Sequence, residues 1–107
     1  LSTSQEGGKD LREADIEKNL RLRLQKAGCL VYKFVSPGNN GVPDRIVITP
    51  AGGIYFVELK TSRGSLRPEQ KVQLRRLQSH NARTAVIYGQ EDAIAFARMI
   101  ENQSERR

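Results

Sequence analysis

The feature that most constrains the fold of this chain is a short turn, Pro50 to Gly53, set between two apolar, β-branched runs. Residues 45–49 (RIVIT) and 54–60 (IYFVELK) carry the composition of strands. A connection this short leaves no room for a crossover, so the two strands must be antiparallel. Other elements arrange themselves around that hairpin. Residues 29–35 (CLVYKFV) read as an earlier strand and residues 83–88 (RTAVIY) as a later one. Helical spacing predicts a helix from Asp10 to Ala27, with Ile16, Leu20, Leu24 and Ala27 as its core stripe and Gly28 as its stop. A second helix runs from Pro68 to Asn81, with Leu74 and Leu77 sharing an inner face with Gln70 and Gln73. A third spans Glu91 to Ile100, with Ile94, Ala97, Phe96 and Ile100 inward. The long helix between the third and fourth strands is what a parallel pairing needs. The predicted class is α/β: an αβββαβ core with a mixed four-stranded sheet flanked by helices. Residues 1–9 are expected to form a flexible arm, 10–100 the domain, and 101–107 a frayed tail.

With 107 residues and 37% hydrophobic content, the chain can bury one modest core. Its net charge of +6 attracts polyanions. Cys29 is the only cysteine, which excludes an internal disulfide and a cysteine-rich zinc site. It reads as a small buried hydrophobe, because the only histidine, His80, lies in a different element and reads as a polar helix end. No apolar stretch approaches the roughly 18 residues of a membrane span, and no charged-then-apolar leader precedes the first helix. Neither a membrane nor an organic cofactor is expected as a partner. A reducing compartment fits, hence a cytoplasmic location, or the host-cell cytoplasm if the chain is of viral or prophage origin.

The chemistry concentrates in Pro43-Asp44 and Glu58-Leu59-Lys60. Alternation in a strand points Glu58 and Lys60 to one face and Leu59 to the other. A hairpin register that sets Asp44 opposite Glu58 would join two carboxylates beside one ammonium. Such a pair is costly unless a cation neutralises it, and oxygen ligands suit Mg²⁺, with Mn²⁺ as a substitute. The Leu59 carbonyl could add a neutral ligand. The plain alternative is a capping Asp44 and a solvated Glu58–Lys60 pair.

In that context the stretches GVPDR and FVELK, with ADIEKNL before them and RPEQ after, resemble the PD-(D/E)XK nuclease superfamily and, within it, the VRR-NUC (virus-type replication-repair nuclease) family. The resemblance runs from about Glu13 through Ile100. It implies Glu17, Asp44 and Glu58 as acidic site and metal residues, Lys60 as the catalytic lysine and Gln70 as a helix glutamine at the site. It also implies an Mg²⁺-dependent DNA endonuclease leaving 5′-phosphates, selective for branched or four-way-junction DNA and working as a homodimer. A catalytically silent DNA-binding or assembly module on the same fold is the alternative, and a basic protein-interaction adaptor a third.

Several side chains keep two readings. Glu17 either reaches the sheet end or pairs with Arg21 one turn on. Lys33 contacts phosphate or snorkels from the sheet edge; Ser36 contacts phosphate or holds the turn before Pro37. Arg45 meets a phosphate or an acidic helix. Gln70 meets the site or a neighbouring loop. Arg63, Arg67, Lys71 and Arg75 follow DNA phosphates or form a solvated flank, and Arg67 is a poor N-cap residue. Leu11 and Leu22, opposite the core stripe, are the candidate dimer patch.

Overall fold

The computed structural model describes residues 11–105; the expected N-terminal arm, residues 1–9, lies outside them. The elements follow in the order α1 (Glu13–Lys26), β1 (Leu30–Lys33), β2 (Arg45–Ile48), β3 (Ile54–Lys60), α2 (Pro68–Ser79), β4 (Arg83–Tyr88) and α3 (Gly89–Glu105). The four strands form one sheet in the order β1-β2-β3-β4. β1–β2 and β2–β3 are antiparallel and β3–β4 is parallel, as the short hairpin and the long crossover require.

Side-chain alternation sorts the sheet into two unlike faces. Val47, Val57, Leu59 and Ile87 point to one side, where they pack with Ile16, Leu20 and Leu24 of α1 and Ala93, Phe96, Ala97 and Ile100 of α3. Tyr55 meets Phe96 edge-on at 5.6 Å, an arrangement that suits the aromatic quadrupoles. Cys29 is buried in the same core. α2 lies on the other side and buries Leu74 and Gln70.

Three expectations are corrected. Ile94 is only half-buried, and the inner stripe of α3 starts from Ala93 instead. α3 begins at Gly89 and continues to Glu105, past the expected end at Ile100. A forked ion pair from Arg23 to Glu101, at 2.8 and 2.9 Å, ties that extension to α1. Leu11 packs against the core, so it is no part of an exposed patch, whereas Leu22 remains 49% exposed.

The face that α2 shares is left open over β1, β2 and the first half of β3. Leu30, Tyr32, Ile46, Ile48, Ile54 and Phe56 line it in paired register. Leu30, Tyr32 and Ile54 are 49%, 54% and 46% exposed.

Candidate active site

The site forms where β2 enters and β3 leaves the sheet. Arg45 pairs with Val57, so Asp44 and Glu58 are the next opposed positions on the ladder. The Asp44 carbonyl accepts from Phe34 N–H at 2.9 Å, which carries the β1–β2 pairing one residue beyond the strands proper. Thr49 N–H donates to the Gly53 carbonyl at 2.8 Å, and the alternation from that pair makes 43/59 the next position to exchange hydrogen bonds across the hairpin. Pro43 has no N–H to donate there. The Leu59 carbonyl therefore gains no ladder bond from β2, a consequence of the proline next to the aspartate. The loop leading to Pro43 rests on the start of α2. A Cβ on Gly41 (φ +91°) would sit 2.5 Å from the Glu69 carbonyl oxygen, so only glycine allows that approach.

Glu58 is buried at 6% exposure. Gln70 Nε2 donates to Glu58 Oε2 at 3.1 Å, and Lys60 Nζ stands 3.7 Å from the same oxygen. Gln70 also accepts from Arg67 N–H through Oε1 at 2.8 Å, so it caps its own helix and compensates for the poor capping residue at Arg67. Burial holds the Glu58 carboxyl above the usual carboxylate range; Asp44 pushes it further, Lys60 opposes, and Glu13 adds to the rise. Asp44 Oδ1 is buried without a hydrogen-bond partner. The Asp44 side chain as a whole is 45% exposed, but an unpaired oxygen beside the buried carboxylate of Glu58 is costly unless a cation completes it.

Among the described residues no three acidic, histidine or cysteine side chains come together as a ready-made metal cage. The expected triad of Glu17, Asp44 and Glu58 is thus drawn up as a pair, Asp44 and Glu58. Glu17 lines the same groove with Glu13, Ala14, Asp44, Arg45 and Leu59, but its carboxylate is turned to Arg21 and Arg45. Both contextual readings of Glu17 are realised together, because the helix shoulder faces the sheet end and Arg21 sits one turn on. Glu13 escaped the sequence reading. The signal was present: it lies four residues before Glu17, on the same helical face.

A model of the VRR-NUC domain matches residues 31–91. The chain belongs to the VRR-NUC family. A solved structure described as a VRR_NUC domain shares 30% identity at a TM-score of 0.73, over 78% of this chain and 90% of that one. A second, described as a VRR_NUC domain protein, shares the fold at a TM-score of 0.65 and 15% identity, over 87% of this chain and 90% of that one. "Putative nuclease p44" of Acyrthosiphon pisum secondary endosymbiont phage 1 is 56% identical over 50 residues, 47% of this chain and 54% of that relative. The matched stretch thus spans about half the length of that relative. The VRR-NUC match includes Asp44, Glu58, Lys60 and Gln70 but starts after α1, so the work of Glu13 and Glu17 must be read from geometry.

The remaining candidates divide by surroundings. Ser36 Oγ accepts from Asn39 Nδ2 at 2.8 Å and holds the turn. Arg45 is turned inward to Glu17 and Asp44, at 19% exposure. Lys33, Arg63, Lys71 and Arg75 are exposed, and Arg67 pairs with Glu69 at 2.8 Å. His80 Nδ1 lies 2.8 Å from the Arg76 carbonyl at the end of α2, a helix-end position. No helix among the described residues is long and apolar enough to cross a membrane.

Proposed function

We propose that this domain is a divalent-metal-dependent endonuclease that hydrolyses DNA phosphodiesters and prefers branched or four-way-junction substrates. The observation that carries the proposal is the buried, unpaired Oδ1 of Asp44 opposite the buried Glu58. Hard oxygens from Asp44, Glu58 and the Leu59 carbonyl fit Mg²⁺, or Mn²⁺ in its place, and α1 adds acidic charge from Glu13. When bound, the ion would supply Lewis-acid charge to the phosphoryl oxygens and a more acidic water.

The chain's own residues do the rest. Gln70 and Lys60 both engage Glu58 Oε2 and leave Oε1 as the free atom of that carboxylate. Lys60, 14% exposed, offers its ammonium to an attacking water or a phosphate oxygen, where fixed charge stabilises the transition state. Arg67 at the N-cap and Lys71 and Arg75 within α2 recur at intervals of four, and with Arg63 they offer a path for backbone phosphates, while Lys33 offers a further contact beside Arg45 on the α1 face. A backbone path of this kind selects by shape more than by sequence.

A homodimer is part of the proposal, and its support is the open sheet face of Leu30, Tyr32, Ile46, Ile48, Ile54 and Phe56. This face carries no charge, so a polyanion gains nothing there. A flat apolar sheet face is complementary to a copy of itself, and sheets stack about 10 Å apart. Its roughly several hundred Å² supply the apolar centre of an interface needing about 800 Å² per partner. Such an enzyme would act in the cytoplasm of the cell that holds its DNA.

The test is a panel of linear, nicked, flapped and four-way DNAs, with and without Mg²⁺, run beside Lys60→Ala. Cleavage is expected only with the ion, most of it on branched DNA, and not by the variant. Intact DNA in every lane would leave a silent DNA-binding module.

A further inference from the structure

Helix α1 presents two carboxylates to one groove, and their surroundings differ. Glu17 Oε2 accepts from two guanidinium groups, Arg21 Nε and Arg45 Nε, each at 3.2 Å. The Glu17 and Arg45 side chains are 20% and 19% exposed, shielded enough for the pair to hold a fixed geometry. Arg45 continues the chain of contacts: its Nη1 donates to the Asp44 carbonyl at 3.0 Å and stands 3.5 Å from Asp44 Oδ2. The Asp44 carbonyl thus receives two donors, from Arg45 and from Phe34 N–H. Oδ2 is turned to the guanidinium, and Oδ1 is the atom left over.

We infer that Glu17 is a positioning residue: it anchors Arg45, and the forked guanidinium of Arg45 fixes Asp44 with Oδ1 directed at the metal position. This rests on the metal reading above and assigns Glu17 and Arg45 to neither metal nor DNA. An ion on Glu17 Oε1 would sit beside the two guanidiniums that hold Oε2, a field that disfavours a dication. Glu13, one turn earlier, has no ion pair among the described residues and faces Glu58 electrostatically. Arginine suits the relay because its planar fork can hold a carboxylate with one nitrogen and a carbonyl with another; lysine offers a single point.

The test is Mn²⁺ binding by isothermal titration calorimetry, without DNA, on wild type, Glu17→Ala, Arg45→Ala, Arg45→Lys and Asp44→Asn, each checked for folding by circular dichroism. Positioning predicts that Glu17→Ala and Arg45→Lys keep the stoichiometry and raise the Mn²⁺ Kd about tenfold, the usual scale for groups that orient a ligand. Asp44→Asn should abolish binding. In the double variant Glu17→Ala/Arg45→Ala the loss should not exceed that of Arg45→Ala alone, because both act through one contact. The inference is overturned if Glu17→Ala abolishes binding as Asp44→Asn does, if it changes nothing, if Arg45→Lys binds like wild type, or if the two losses multiply. Wild type that binds no Mn²⁺ defeats the metal reading itself, and the inference with it.

Discussion

At the scale of single residues, Glu58 is the most informative position, because the protein has largely withdrawn a carboxylate from water. Its folded carboxyl stays protonated to higher pH than it would unfolded, chiefly through burial and then through Asp44. In metal-free protein, then, the folded state holds the extra proton, and stability falls as pH rises from the ordinary glutamate range through the raised value. Glu58→Gln removes that dependence while keeping an acceptor for Gln70. In EDTA, thermal melts should show wild type losing stability over that interval and the variant not, with the variant at least as stable at neutral pH. A saturating divalent ion should reverse the order, adding about 2.7 kcal/mol to wild type at a hundred times Kd. Asp44, Glu58, Lys60 and Gln70 were legible in the sequence because strand alternation and the inner helix face dictate their direction. The orientation of Glu17 was not, since two guanidiniums from different elements compete for it and only the assembled fold decides.

At the scale of elements, the sequence reading held where one local rule acted alone. β3 and β4 follow their apolar runs to the residue, and Pro68 starts α2 as its fixed φ favours. It failed where tertiary contacts extended or replaced a local signal: Glu101 reaches Arg23 and lengthens α3, and Leu11 turns back onto the core. The start of α2 shows the same logic, its cap being supplied by a side chain whose other end holds Glu58. α2 also yields a quantitative test. If Lys71 and Arg75 contact phosphates, Lys71→Ala/Arg75→Ala should lower the slope of log affinity against log salt by about two, because each lost contact releases about one counterion fewer. Fluorescence anisotropy with labelled four-way DNA in Ca²⁺ measures that slope, and an unchanged slope would assign the stripe to solvent.

At the scale of the molecule, the fold covers one sheet face with α1 and α3 and leaves much of the other bare. The homodimer reading makes this open face the contact, so Ile48→Lys should convert a dimer of 12.0 kDa chains to monomer in sedimentation velocity. Wild type that stays monomeric at tens of micromolar would refute it. The sequence could give the alternation on which that face depends, but not which helices would cover it.

The central claim is that Asp44 and Glu58 are held as a pair whose free oxygens need a cation. Crystals soaked in Mn²⁺ and measured for anomalous scattering test it most directly. A peak is expected within about 2.2 Å of Asp44 Oδ1, shared with Glu58 and the Leu59 carbonyl. A peak centred elsewhere, or none beside these carboxylates at saturating Mn²⁺, would contradict it.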